Sequence, residues 1–134
     1  MLTPDGAGWL RIWEQYIPGH RYVIGADCAG ENPGGDHNCA AVLDVTDKTK
    51  RRLVATIHGI RGADLYARAL ANVGHIYGMA TIAVEVNGVG EAVQSHIRHM
   101  YPERHLYHRV QIDRATRRPG VRIGWYTGHI TRQN

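Results

Sequence analysis

Tyr22-Val23-Ile24-Gly25-Ala26-Asp27 is an apolar run that ends on an acid, and Thr81-Ile82-Ala83-Val84-Glu85 repeats the arrangement further along the chain. Each run has the length and residue types of a buried strand, and each is followed by glycine, Gly30 after the first and Gly88 after the second. A carboxylate ionised at the end of a core strand needs a partner or a metal, because isolated buried charge is costly. Two such groups from distant parts of a chain converge when their strands are neighbours. The result is an oxygen-rich site for a hard divalent cation. Asp27 and Glu85 are therefore the first candidate site residues.

Reading outward from the first run, Pro18-Gly19 makes a turn into a core strand expected over residues 21–28. Residues 29–36 form a turn-rich loop, and Ala40-Ala41-Val42-Leu43 mark a second strand over 38–44. A polar turn at 46–50 leads to a third strand over 52–58. Short links between these strands predict an antiparallel meander. Residues 9–14 alternate in the manner of a further strand. The period then changes: Tyr66, Ala69, Leu70, Val73, Ile76 and Tyr77 recur at helical spacing, which predicts a helix over 63–77. Asp64 suits its first turn and Gly78 its stop. A fourth strand is expected over 80–86. A second helix follows over 90–101, with Val93, Ile97, Met100 and Tyr101 on one face and Pro102 as terminator. A short fifth strand is expected over 106–110, and weak strand character appears at 121–126. The order of three strands, helix, strand, helix, strand is that of an α/β protein with a mixed sheet.

The length suits one domain. No apolar stretch is long enough to cross a bilayer, and the amino terminus lacks a signal-peptide pattern. Two cysteines without a disulfide framework point to a reduced, cytoplasmic setting. Charge is unevenly placed. Residues 95–134 carry eight arginines against Glu103 and Asp113, a balance of +6, while residues 1–94 carry eight basic and ten acidic residues, a balance of −2. The basic part suits a polyanion such as nucleic acid, or simply a solvated surface.

With the acids at 27 and 85, the element order resembles the ribonuclease H fold. The sequence words narrow the resemblance. Residues 22–27, the hairpin with Gly35-Asp36, Ala83-Val84-Glu85-Val86-Asn87-Gly88-Val89-Gly90 and Gly124-Trp125-Tyr126-Thr127 resemble the nuclease domain of bacteriophage terminase large subunits. Thr131-Arg132 extends the match. The resemblance divides the chain into a lead-in over 1–20 and a ribonuclease H-like nuclease domain over 21–134. It implies metal-dependent cleavage of double-stranded DNA with little sequence preference. Asp27 and Glu85 are then catalytic and metal-binding, with Mg²⁺ or Mn²⁺ in a two-metal site and Asp36 as a further ligand. Asn87 orients Glu85 or touches the phosphate backbone. Arg114, Arg117, Arg118, Arg122 and Arg132 contact DNA, on phosphates rather than base edges. The implied partners are double-stranded DNA, the packaging ATPase domain, the portal and the small terminase subunit, in the host cytoplasm of a phage or prophage and away from any membrane.

The chain departs from the family pattern in two ways. The family has a further acid on a helix after the Trp-x-Thr segment, and Glu91, Glu103 and Asp113 do not match that position. No Gly-x-x-x-x-Gly-Lys-Ser/Thr phosphate loop is present either. The sequence thus reads as a domain incomplete at its C-terminal end that binds metal weakly and cuts DNA poorly. The alternatives are another nuclease of the fold, of resolvase or transposase type, and an inactive DNA-docking fragment. Branched substrates separate the first, and binding without cleavage the second. Actin-like ATPases, which share a first hairpin after an acid, require a second lobe for which the chain is too short. The histidines at 96, 99, 105 and 108, and the set Cys28, His37 and Cys39, have no familiar zinc spacing. They read as surface histidines and as two buried cysteines serving as small apolar groups.

Overall fold

The computed structural model describes residues 9–28, 38–85, 89–112 and 119–123, with backbone alone for 89, 109–112 and 119–123. Seven strands and two α-helices are defined among them: β1 (Leu10–Ile12), β2 (Tyr22–Asp27), β3 (Asn38–Asp44), β4 (Arg52–Ile60), α1 (Ala63–Ile76), β5 (Thr81–Val84), α2 (Val89–Ile97), β6 (His108–Ile112) and β7 (Pro119–Ile123). A single 3₁₀ turn, Glu103–His105, lies between α2 and β6. No helix among the described residues is long and apolar enough to cross a membrane.

Five strands form one sheet in the order β1-β4-β3-β2-β5. β2, β3 and β4 are the antiparallel meander, and β1 extends it by pairing Leu10 with Ile57 and Ile12 with Ala55. Part of the expected lead-in is thus the edge strand of the sheet. β5 returns parallel to β2, with Val23 opposite Thr81 and Ala26 opposite Val84. A parallel neighbour requires a crossover, and α1 supplies it. The helix ends where the backbone turns left-handed at Gly78 (φ 66°) and Met79 (φ 62°). This is the mixed α/β sheet that the sequence implies.

One face of the sheet carries the core. Ile24, Ala26, Val42, Ile57, Ile82 and Val84 are buried beneath Tyr66, Leu70 and Val73 of α1 and Val93 and Ile97 of α2. Burial of each Val, Leu or Ile among them contributes roughly 1.5–3 kcal/mol. The chain has no phenylalanine, so tyrosines fill the large positions. The hydroxyls of the buried rings donate to main-chain carbonyls: Tyr77 to Glu14 (2.7 Å), and Tyr101 to Ala80. The Tyr101 ring lies so close to Gly74 that an added Cβ there would meet its Cε1 at 2.8 Å.

The expected fifth strand divides in two. Leu106 makes one parallel bridge to Ile82, and the Tyr107 amide donates to the Ile82 carbonyl at 2.8 Å. The chain then leaves the sheet, and β6 pairs with β7 in a separate antiparallel hairpin. Strand character in the sequence cannot say which sheet a strand joins.

At the end of the sheet remote from Asp27, the Asp44 carboxylate is buried yet fully engaged. It accepts from His20 Nδ1 (2.7 Å), Thr46 Oγ1 (2.6 Å) and the Thr46 amide (3.0 Å). Burial alone would raise its pKa, but these hydrogen bonds outweigh it and hold the group near 2. A carboxylate depressed in this way stabilises the fold above the unfolded-state value near 4. That stability is lost as pH falls toward the folded value. Unfolding free energies from urea titrations of wild type and Asp44→Asn are expected to differ by about 1–3 kcal/mol at neutral pH and to converge near pH 2.

Candidate functional site

β2 and β5 are neighbours in register, and the Glu85 amide continues the ladder by donating to the Ala26 carbonyl at 3.1 Å. One more residue on each strand sets Glu85 beside Asp27. Burial alternates along both strands. Ile24 and Ala26 are buried while Gly25 and Asp27 are exposed, and Ile82 and Val84 are buried while Ala83 and Glu85 are half-buried. Residues in register share a face, so both carboxylates rise from the side of the sheet opposite α1 and α2.

Burial pushes the half-buried Cys28 thiol up to about 12, and the charges of Asp27, Glu85 and then Cys39 push it in the same direction. Both acids thus act on the same sulfur. At about the 4.8 Å strand spacing, two carboxylates repel by about 1 to 3 kcal/mol between the aqueous and partly buried limits. A cation between them removes that penalty.

The backbone beneath the pair is fixed from two sides. The Tyr66 hydroxyl, on α1, reaches the carbonyls of Cys39 (2.7 Å) and Asp27 (3.1 Å), and so ties the ends of β2 and β3 to the helix. On the other side, α2 begins hard against Glu85. A Cβ on Gly90 would overlap the Glu85 carbonyl oxygen, so only glycine permits this approach. Tyr66→Phe keeps the ring and removes the tie. It is expected to cost about 1–3 kcal/mol in urea unfolding at unchanged m value.

Asp27 opens onto a cleft of about 790 Å³ on the face of the sheet that no described helix covers. Asp27, Gly25, Thr56, His58, Arg11 and Trp13 are among its lining residues. Arg11 on β1, Trp13 just after it and His58 on β4 were missing from the candidate set. Alternation places Arg11 and Trp13 on one face, but nothing local shows that this strand joins a cleft built by residues far along the chain.

Cys39 is exposed, not buried as expected. It is out of phase with its buried neighbours Asn38 and Ala40, which assigns it to the open face. Arg122 stands opposite Arg109 on the β6–β7 hairpin, away from the five-stranded sheet's ladder. Asp36, Asn87, Arg114, Arg117, Arg118, Arg132, His37, Trp125 and Tyr126 lie outside the described residues. Among the described residues, no group of three or more His, Cys, Asp or Glu side chains is placed to hold a metal ion. The Asp27–Glu85 pair nonetheless fits Mg²⁺, which typically takes one or two protein carboxylates and completes its octahedron with water and substrate phosphate.

No family model matches the chain, and no curated protein matches it significantly. Solved structures do. The large terminase nuclease of thermophilic phage G20c with bound magnesium aligns at a TM-score of 0.54 and 28% identity, over 76% of this chain and 53% of that one. The aligned part therefore spans about half the length of that relative. With bound cobalt, the G20c nuclease aligns at a TM-score of 0.57 and 17% identity, over 98% of this chain and 86% of the other. The large terminase nuclease domain of Thermus phage P74-26 aligns at 0.51 and 24% identity, over 75% of this chain and 50% of the other. The fold is that of these nuclease domains, and the likeness bears out the resemblance read from the sequence.

Proposed function

We propose that this chain is the nuclease part of a phage or prophage DNA-packaging terminase, a metal-dependent endonuclease that hydrolyses phosphodiester bonds of double-stranded DNA with little sequence preference. The observation that carries this reading is the pairing of Asp27 and Glu85 at the ends of adjacent parallel strands, on the uncovered face of a terminase-like sheet.

Asp27 and Glu85 hold Mg²⁺ or Mn²⁺, with Asp36 as a further ligand in a two-metal site. A bound divalent cation would supply a more acidic water and neutralise charge at the phosphate. The protein's own contribution is placement. Asp27 is carried on a strand end tied down by Tyr66, and Glu85 on a strand end pressed by the start of α2, so the two acids need little reorganisation on binding. Asn87 orients Glu85. Arg114, Arg117, Arg118, Arg122 and Arg132 bind phosphates. The nuclease domain is assigned to residues 21–134 and acts in the host cytoplasm with the packaging ATPase domain, the portal and the small terminase subunit.

The test is nicking of supercoiled plasmid by the whole chain in Mn²⁺, with linear duplexes and branched junctions in parallel. Cleavage of plain duplex supports the reading. Cleavage confined to junctions would replace it with a resolvase. DNA binding with no cleavage in any divalent metal would leave a docking module.

A further inference from the structure

The uncovered face is polarised in a way the catalytic reading does not use. Asp27 lines the cleft at the end of β2, with Glu85 following β5 next to it in register, whereas Arg11 on β1, Trp13 just after β1 and His58 on β4 line the other side of the cleft. Register gives the spacing. Asp27 is opposite Cys39, and Cys39 is opposite His58, so His58 stands two strands from Asp27, about 10 Å away. Arg11 is opposite Thr56 on the next strand outward, and Thr56 is opposite Ala41, itself opposite Gly25. Arg11 is therefore three strands from Gly25, about 15 Å.

The floor between these two sides is low. It is built from Gly25, Ala41 and Thr56, and a Cβ on Gly25 would meet no atom within 4 Å. An extended chain can lie across it. Arg11 is exposed and forms no ion pair among the described residues, whereas Arg52 and Arg98 are each within 4 Å of a carboxylate. Trp13, lining the same cleft, leaves 58% of its surface in solvent. A cation and an aromatic face across the cleft from an acid suit one class of ligand, a strand of duplex DNA whose phosphates meet the cation and whose sugars meet the ring.

We infer that Arg11, Trp13 and His58 form a subsite for the DNA strand flanking the phosphate held at Asp27 and Glu85. The strand crosses the sheet from β5 toward β1, with His58 and Arg11 on successive phosphates and Trp13 against a sugar. The inference rests on the nuclease reading for the position of the scissile phosphate.

The experiment is fluorescence anisotropy of a labelled short DNA duplex with the whole chain, in EDTA so that no cleavage occurs, across a NaCl series. Arg11→Ala is expected to weaken binding several-fold and to lower the salt slope by about 1. Trp13→Ala is expected to weaken it several-fold with the slope unchanged, because it removes apolar contact and no charge. His58→Gln should weaken binding, and Arg11→Lys should restore the slope. Arg68→Ala, on exposed α1 behind the sheet, should bind as wild type. Thermal melts identify any variant that fails to fold, and the lysine variant then carries the comparison for position 11. Wild-type affinity and slope in both Arg11→Ala and Trp13→Ala would overturn the subsite, as would equal losses in Arg68→Ala or no DNA binding by wild type at low salt. Plasmid nicking separates the two claims. If cleavage needs Asp27 but these variants bind normally, only the subsite falls. If they bind poorly while Asp27→Asn cuts as wild type, only the nuclease assignment falls.

Discussion

Asp27→Asn is expected to remove Mn²⁺-dependent nicking by more than about 100-fold, because losing a ligand should exceed the 10–100-fold cost of losing a group that merely orients one. The substitution keeps the shape of the side chain and removes its charge. Asp27 is exposed and makes no ion pair among the described residues, so the fold should be untouched. Losing its repulsion with Glu85 should even raise the metal-free melting temperature slightly. The opposite sign is expected with metal. Millimolar Mn²⁺ should raise the melting temperature of wild type and leave Asp27→Asn unmoved, since a ligand stabilises only what it binds. A wild type indifferent to Mn²⁺ and Mg²⁺, or a variant that still cuts, would remove the carboxylate pair from the mechanism.

Gly90→Ala is expected to lower stability by about 1–2 kcal/mol, and here two effects oppose each other. Alanine in a helix is ordinarily favoured over glycine by about 0.5–1 kcal/mol. The added methyl, however, would overlap the Glu85 carbonyl oxygen, which is fixed backbone rather than the movable end of a side chain. Overpacking of this kind costs typically about 1–3 kcal/mol, and occasionally more, as the structure shifts to make room. The collision decides the sign. Because the displaced atom belongs to Glu85, the variant should also lose most of its Mn²⁺-induced stabilisation, which an ordinary core defect would not do. Urea unfolding with and without Mn²⁺ checks both. A variant as stable as wild type would show that α2 does not abut the end of β5.

The meander and the crossover were legible because their signals are local. Residues 38–44 carry a continuous apolar run and form β3 over the expected span, and α1 ends one residue short of the expected limit because Tyr77 already leaves helical geometry. The second helix was read through Tyr101 but stops at Ile97. There the turns tighten, with His99 bonded to the His96 carbonyl and Met100 to that of Ile97, before Pro102. Helical spacing of apolar side chains persists through such a tightened turn, so periodicity alone overruns it. The acids at 27 and 85 were legible as strand ends, and their adjacency depended only on β5 docking beside β2. The basic side of the cleft was not legible. Arg11 and His58 are brought together by β1 pairing outside β4, and edge pairing of a three-residue strand leaves no mark on composition or spacing.

The tyrosine core has a consequence for motion. The oxygens of Tyr66, Tyr77 and Tyr101 are fastened to carbonyls at 27 and 39, at 14 and at 80, all places where the chain enters or leaves a strand. Rings that fill volume in the interior thereby also pin the seams of the fold. Exchanging them for hydrocarbon rings of similar size would leave the interior dense but the seams unfastened. Amide hydrogens at those junctions would then exchange with solvent through local fraying, at a rate set apart from that of global opening.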